Sequence, residues 1–206
     1  MLQSTSMEKI KNIIFDLGGV ILNIDMKKTE LALQQLGIDG FSNLLSVHSF
    51  FREYETGTID NATFIRSIQS LASRTSTEQD IIQAWNALLL DFPAERIELL
   101  KSLGRKYRLF LLSNTNDIHH RQFQEQLYQQ TGNYLEDFFE KAYYSHTIGL
   151  CKPDLACFQY VINENKLDPT QTLFVDDSEA NISGAQEAGL SVLHIKPGIT
   201  ILDAAW

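Results

Sequence analysis

The sequence has few cysteines and no long apolar run, and each shortage excludes a class of protein. Cys151 and Cys157 are the only cysteines among 206 residues, too few for a disulfide framework or a cysteine zinc site. We read both as reduced thiols, which predicts a cytoplasmic protein. No apolar stretch approaches the ~20 residues of a membrane span. The first twelve residues lack the apolar segment of a secretory signal.

Basic residues are also scarce, with 17 Lys and Arg against 26 Asp and Glu and a net charge of −9. An acidic chain repels a phosphate backbone, so we expect no nucleic-acid partner. The 44% hydrophobic and 21% charged composition is typical of a soluble globular protein and excludes a disordered one. The length predicts one domain with an insertion, or two small domains. Function must therefore come from local motifs.

Short apolar runs alternate with helical patterns along most of the chain. Such an alternation predicts an α/β fold with a doubly wound parallel sheet. Pro153 is expected to open one helix, and Gly189 to end another. The predicted strands cover residues 11–16, 107–113, 172–176 and 191–195, with residues 142–145 as a shorter fifth.

The segment between the first two strands has only helical signals. Asp60 or Asn61 is expected to cap one helix, and Ser76 with Gln79 to form a capping box before another. We therefore predict a core domain of residues 1–22 and 91–206, interrupted by an all-helical domain of residues 23–90.

Several strand ends carry residues with chemical potential. Asp16, Ser113 and the pair Asp176-Asp177 end three of the strands, and Lys152 precedes a predicted helix. Each residue alone fits a turn, a helix cap or a solvated surface. In an open parallel sheet, however, ligands bind at the carboxyl ends of the strands. Converging carboxylates there need a cation, and an oxygen-rich set suits Mg²⁺. A metal, an ammonium group and a hydroxyl together suit a bound phosphate.

These residues lie in four motifs that together resemble those of the haloacid dehalogenase (HAD) superfamily of hydrolases. The motifs occur in the order and spacing of that family and span nearly the whole chain. The helical insert is similar to the C1-type cap of that family, which covers the active site. Residues 113–119 and the turn of Tyr54, Glu55 and Gly57 resemble the glucose-1-phosphatase-like sugar phosphatases. The four motifs are I-F-D-L-G-G-V at 14–20, F-L-L-S-N at 110–114, G-L-C-K-P at 149–153 and F-V-D-D-S at 174–178.

The resemblance implies a Mg²⁺-dependent phosphatase that hydrolyses a small phosphorylated metabolite, such as a sugar 1-phosphate, through an aspartyl-phosphate. Asp16 would be the nucleophile and a metal ligand. The main-chain carbonyl of Gly18 and the carboxylate of Asp177 would also bind the metal. Asp176 would bind it through water or orient the site.

The resemblance also implies a phosphate site. Ser113 and the amide of Asn114 would bind phosphate oxygens, and Lys152 would neutralise the charge that Asp16 and the phosphate bring together.

The sequence departs from the family at Gly18, where phosphatases usually have an aspartate that acts as general acid and base. Loss of a general acid costs about 10²–10⁴-fold in rate, which predicts a slow enzyme that prefers activated leaving groups. Asp25 and His119 are the candidates to replace it. The plainer interpretation makes Asp25 a helix cap and His119 an exposed helix residue.

Three alternatives to a phosphatase stay open. Gly18 fits a 2-haloacid dehalogenase, although the acidic pair at 176–177 favours a metal. A catalytically weak module that binds a phosphometabolite, or a phosphomutase, also fits. Substrate choice is expected to lie in the cap, with Glu55, Tyr54 and His48 as candidates. The aromatic residues at 50, 51 and 54 are predicted to form the cap core, and the sequence makes no prediction of the oligomeric state.

Overall fold

A computed structural model describes residues 7–206 of the chain. The predicted absence of a secretory signal falls partly on residues 1–6, outside the described residues. The described chain contains a five-stranded parallel sheet, and this confirms the predicted α/β fold. The strands are β1 (Asn12–Phe15), β2 (Arg108–Ser113), β3 (Lys141–Tyr144), β4 (Thr172–Asp176) and β5 (Ser191–His194), in the spatial order β3-β2-β1-β4-β5.

The strands are apolar on both faces because helices cover both sides of the sheet. Successive side chains of a strand point to opposite faces. In β1, Ile13 and Phe15 therefore pack into one apolar cluster, and Ile14 packs into another on the other side. This double burial explains why the strands read as continuous apolar runs.

Six α-helices lie between β1 and β2 in the described chain, and four more α-helices follow β2. None of those in residues 7–206 is long and apolar enough to cross a membrane. The first six are α1 (Met26–Gln35), α2 (Phe41–Val47), α3 (Phe50–Glu55), α4 (Asn61–Leu71), α5 (Glu78–Asn86) and α6 (Ala94–Leu103). The later four are α7 (Asp117–Thr131), α8 (Ser145–Ile148), α9 (Leu155–Asn165) and α10 (Glu179–Glu187).

Helices α1–α5 share a core of their own, made largely of aromatic rings. The Tyr54 and Phe64 rings stack with centroids 3.9 Å apart, and Phe51 stacks on Trp85 at 5.9 Å. Ile118 of α7 packs against the same cluster from the sheet domain. We call the helices α1–α5 the cap; the domain boundaries at residues 22/23 and 90/91 stay a prediction.

The two chain segments that join the cap to the sheet domain run side by side. Asn23 N–H donates to Asp91 O at 2.9 Å, and Leu90 N–H donates to Asn23 O at 3.0 Å. An isolated antiparallel bridge pairs Ile24 with Leu89. The cap therefore enters and leaves at one place, directly after β1.

Two predicted helix starts differ from the structure. Thr77 and Asp80, rather than Ser76 and Gln79, form the capping box of α5, because the Asp80 carboxylate accepts the Thr77 N–H at 2.8 Å. Pro153 does not open a helix. It lies in a turn closed by Asp154 N–H donating to Cys151 O at 3.1 Å, and α9 begins at Leu155. The Asp60 cap of α4 is confirmed, with its carboxylate accepting the Thr63 N–H.

Candidate active site

Three carboxylates meet at the carboxyl end of the sheet. Asp16 follows β1, Asp176 ends β4, and Asp177 comes next. Because β1 and β4 are paired neighbours, their ends lie side by side, and Asp16 N–H donates to Val175 O at 2.8 Å. One carboxylate oxygen from each aspartate lies within 4.8 Å of the other two. Such an all-oxygen set fits a hard divalent cation such as Mg²⁺.

Lys152 supplies the positive charge that the protein itself brings to this cluster. Its Nζ donates to Asp16 Oδ1 at 2.6 Å and to Asp176 Oδ2 at 2.7 Å, and its side chain is only 1% exposed. Three carboxylates against one ammonium still leave negative charge beside the buried Asp16 and Asp176. The residues present therefore fit a bound cation.

The titration of these groups follows from burial and from their mutual charges. Burial raises the pKa of Asp16, and the Asp176 charge raises it further, while Lys152 opposes both. Burial lowers the pKa of Lys152, but the charges of Asp16 and Asp176 outweigh it, so the pKa of Lys152 is raised overall. Burial and the charge of Asp176 also raise the pKa of Asp177. Lys152 thus stays charged.

Asp176 and Asp177 differ in how firmly the protein holds them. Asp176 is fully buried and accepts hydrogen bonds from Lys152, from Asn181 Nδ2 and from the Ser178 N–H. Asp177 is exposed, and within residues 7–206 no side-chain donor is bonded to its carboxylate. This difference suits Asp177 to bind a metal directly and Asp176 to orient the site.

Gly19 is needed beside Asp177. Its φ is +76°, a left-handed conformation that favours glycine. A Cβ atom at this position would lie 2.2 Å from Asp177 Oδ2. Glycine at residue 19 therefore lets Asp177 approach the β1 turn, a positioning role for which the Gly18-Gly19 doublet was the only sequence signal.

The side chain of Asn114 holds the loop that carries Lys152. Asn114 Nδ2 donates to Lys152 O at 2.8 Å, and Lys152 N–H donates to Asn114 Oδ1 at 2.9 Å. Gly184 of α10 lies against the same loop, since a Cβ there would be 2.3 Å from Pro153 O. Sequence reasoning missed the structural role of the Asn114 side chain, because its partner is 38 positions away.

Ser113 lies at the end of β2, beside β1, with 3% of its surface exposed. The chain after it is fixed by Ser145, whose Oγ accepts from Thr115 N–H and donates to Thr115 O, both at 2.9 Å. Ser113, Asn114 and Gly18 all line one cavity. The predicted phosphate-binding residues thus lie together next to the acidic cluster.

This cavity has a volume of about 210 Å³ and lies between the sheet domain and the cap. Polar groups concentrate on the sheet side, at the start of α7. Among the residues that the cap contributes, Glu55 is the charged one. The apolar lining of the cavity comes from the chain after β1, from the cap and from α7. These residues are Leu17, Leu22, Ile24, Met26, Leu45, Trp85, Leu88, Leu89 and Phe123.

The structure separates the two candidates for the missing acid. Asp25 caps α1, accepting from Lys27 N–H at 3.0 Å, as the plainer interpretation predicted. The prediction of an exposed His119 is wrong, because the ring is buried and stacks on Trp85 with centroids 5.0 Å apart. His119 Nε2 donates to Trp85 O, and Nδ1 accepts from Asn116 Nδ2, both at 3.0 Å. Neither nitrogen is left for a substrate.

Burial lowers the pKa of His119 to about 4, so the ring is neutral near pH 7.

Of the proposed specificity residues, Glu55 lines the cavity. Tyr54 instead bonds to the sheet domain, its hydroxyl accepting from Ile118 N–H at 3.1 Å. His48 packs against Phe50. The Cys151 and Cys157 thiols are free and buried.

Comparison with known proteins agrees with this geometry. The model of the haloacid dehalogenase-like hydrolases matches residues 10–189. The chain belongs to this family. The protein is therefore a hydrolase, and the resemblance inferred from its motifs is confirmed at the family level.

Individual relatives span almost all of the chain. It is 32% identical to the D-ribitol-5-phosphate phosphatase of Bacteroides thetaiotaomicron over 192 residues, covering 92% of this chain and 93% of that one. It is 25% identical to a sesquiterpene phosphatase of Aspergillus oryzae, covering 90% and 89%. A HAD family enzyme of Bacteroides thetaiotaomicron, crystallised with magnesium and inorganic phosphate, superposes with a TM-score of 0.86 at 35% identity, covering 92% and 96%. The magnesium expected at the acidic cluster agrees with that structure.

Proposed function

We propose that the protein is a Mg²⁺-dependent phosphatase that hydrolyses small phosphate monoesters through an aspartyl-phosphate on Asp16. The observation that carries the proposal is the cluster of three carboxylates within 4.8 Å, two of them bonded to the Lys152 ammonium group, beside the cavity between the sheet domain and the cap. This combination holds a metal and a phosphate while it presents one carboxylate to the phosphorus atom.

The residues divide the chemistry among them. The Asp16 carboxylate attacks phosphorus, forming a new O–P bond as the ester P–O bond breaks and the alcohol departs. Water then attacks the same phosphorus and frees Asp16. Magnesium, held by Asp16, Asp177 and the Gly18 carbonyl, would offset the negative charge of the transferring oxygens. Ser113, the Asn114 amide and Lys152 bind those oxygens in the proposal.

Lys152 also sets the geometry of the nucleophile. Because Lys152 bonds to Asp16 Oδ1, the other carboxylate oxygen, Oδ2, is the one left for attack or for the metal. The bond from Lys152 to Asp176 fixes the ammonium group from its other side. Orientation of this kind lowers the barrier because the reacting groups need not be ordered in the transition state.

The cavity indicates a small substrate. Its volume of about 210 Å³ lies below the roughly 300–1,000 Å³ of sites for drug-sized ligands. The relative that acts on D-ribitol 5-phosphate supports a sugar or polyol phosphate of about five carbons. A sugar 1-phosphate, which the sequence motifs favour, is of similar size.

A second substrate class is favoured by the apolar lining. Beyond the strand ends, the cap side of the cavity offers Leu45, Trp85 and Leu88 and a single charged group. The relationship to a sesquiterpene phosphatase supports a phosphate ester of an apolar alcohol. The volume restricts this class to short chains, of which a five-carbon prenyl phosphate is the natural probe.

The test is a phosphate-release screen with Mg²⁺ over ribitol 5-phosphate, glucose 1-phosphate, dimethylallyl phosphate and acetyl phosphate. We expect turnover of at least one ester, its loss in excess EDTA, and its loss in Asp16→Asn with an unchanged unfolding midpoint. Binding of phosphate without turnover would instead support a binding module. Chloroacetate turnover that survives EDTA would support a dehalogenase, and transfer to a second hydroxyl of the substrate a mutase.

A further inference from the structure

The proposed reaction lacks one group. When the ester bond to phosphorus breaks, the alcohol oxygen leaves with a negative charge and must receive a proton. Gly18 has no side chain to give one. Asp25 is occupied as a helix cap, and both ring nitrogens of His119 are bonded to protein groups.

Glu55 is the carboxyl group that the cap presents to the same cavity. It is the last residue of α3 and lines the cavity with Gly18, Ser113 and Asn114. Within residues 7–206, its carboxylate has no hydrogen-bond or ion-pair partner. In a cavity of about 210 Å³, a carboxylate on one wall is within reach of a small substrate whose phosphate lies at the opposite wall.

Three contacts, two before Glu55 in the chain and one after it, fix this segment to the sheet domain. Arg52 pairs with Asp154 at 2.6 Å, and the Tyr54 hydroxyl accepts from Ile118 N–H. Gly57, with φ of +68°, lies so close to α8 that a Cβ atom would be 2.1 Å from the carbonyl oxygen of His146. These contacts therefore hold Glu55 at the cavity that Ser113 and Asn114 also line.

The surroundings of Glu55 favour a carboxyl group that carries a proton. Burial raises its pKa, and Arg52 only partly opposes this effect. Burial and, secondly, the charge of Glu55 raise the pKa of the Cys151 thiol, so Glu55 lies near the residue that precedes Lys152. Glu55 lines the same cavity as Ser113 and Asn114, the proposed phosphate-binding residues.

We propose that Glu55 is the general acid of the reaction, which gives its proton to the departing alcohol oxygen in place of the aspartate that Gly18 replaces. The P–O bond to the alcohol breaks as the Asp16 O–P bond forms, and the Glu55 proton passes to the alcohol. The Glu55 carboxylate then takes a proton from the water that attacks the aspartyl-phosphate, which restores the starting state. The inference rests on the phosphatase function proposed above.

The experiment compares two esters that differ in how much their leaving groups need a proton. The value of kcat/KM reports the steps up to departure of the alcohol, so it isolates the proton donation. For Glu55→Gln we expect kcat/KM to fall at least ~10²-fold on the best alkyl phosphate of the screen. On 4-nitrophenyl phosphate, whose leaving group is a weak base, we expect a change of less than about threefold.

Glu53→Gln is the matched control, since Glu53 lies on the same short helix but does not line the cavity. It should leave kcat/KM unchanged on both esters. An equal loss on both esters in Glu55→Gln, or no loss on the alkyl ester, with an unchanged unfolding midpoint, would overturn the proposal. If the wild-type protein hydrolyses neither ester, the phosphatase function fails first, so the two failures are distinguishable.

Discussion

The strand ends and the cap build the two halves of one cavity in opposite ways. At the strand ends, charged groups are buried and bonded to one another, as Lys152 is to Asp16 and Asp176. In the cap, aromatic rings fill the interior, and the one charged side chain that faces the cavity, Glu55, has no bonded partner in the described chain.

This contrast separates two tasks. The strand ends hold Asp16, Lys152 and Asp176 in fixed positions, because these three groups are bonded to one another. The cap contributes shape, an apolar wall and a single acid, and it is fastened by polar contacts at its edge. We therefore expect changes at the strand ends to alter chemistry and metal binding, and changes at the cap contacts to alter stability more than chemistry.

The sharpest test of the fixed half is Lys152→Met. Removing the buried cation leaves Asp16 and Asp176 without their ion-pair partner, which should cost about 3 kcal/mol of unfolding free energy without Mg²⁺. Phosphate release should fall at least ~10²-fold. Urea unfolding and steady-state assays measure both. Lys141→Met, at an exposed ion pair with Glu164, should change neither by a comparable amount; equal effects of the two variants would contradict the contrast.

The second prediction concerns the turn beside Asp177. Gly19→Ala places a Cβ against Asp177 Oδ2 and should displace that carboxylate, weakening Mg²⁺ binding about 10–100-fold. Titration calorimetry with MgCl₂ measures the change. Gly132→Ala is the control, since Gly132 has a similar φ of +74° but no atom of the described residues within 4 Å of the added Cβ. Unchanged affinity in Gly19→Ala would show that Asp177 is not a ligand.

The third prediction concerns the joint between the halves. Burial lowers the pKa of His119 to about 4, below its unfolded value of about 6.5. The unfolded chain therefore binds the proton more readily, so stability from this group is present above pH 6.5 and is lost as pH falls towards 4. Between pH 7 and 5 the loss is about 2 kcal/mol. Urea unfolding of wild type and His119→Asn should show a smaller pH dependence in the variant; parallel curves would contradict it.

The smallest effect is expected at the edge of the cap. Arg52 and Asp154 form an ion pair whose side chains are 58% and 54% exposed. An exposed pair contributes at most about 1 kcal/mol. Arg52→Gln should therefore lower the unfolding free energy by less than that amount, and 1 M NaCl should remove the difference. A larger, salt-independent loss would mean that Arg52 holds the cap more strongly than the contrast allows.

The sequence predicted which polar residues meet at the strand ends better than it predicted the contacts of the cap. Apolar runs that end in Asp16, Ser113 and Asp176 specify both a strand and its polar end, and parallel pairing then brings those ends together. No comparable rule applies to His119. Its burial depends on stacking against Trp85, 34 positions away, a partner that no local pattern around His119 indicates.

Local errors came from competing groups of similar chemistry. Thr77 and Asp80 displaced the predicted capping pair, since Ser76 and Thr77 are both good caps and the helix start decides between them. Pro153 is compatible with a helix start, but it lies instead in the turn that follows Lys152, and the helix begins two residues later. The fold and the acidic cluster were thus readable from the sequence, whereas the contacts that orient them were not.

The paired connections between the cap and the sheet domain have an evolutionary consequence. Asn23 and Asp91 lie side by side, and the bridge between Ile24 and Leu89 closes the gap beneath the helices. Because the insert begins and ends at one point, a different helical insert can replace it without any change in the order or pairing of the strands. Grafting a different helical domain at this junction would change the wall that faces the substrate and leave the residues at the strand ends in place.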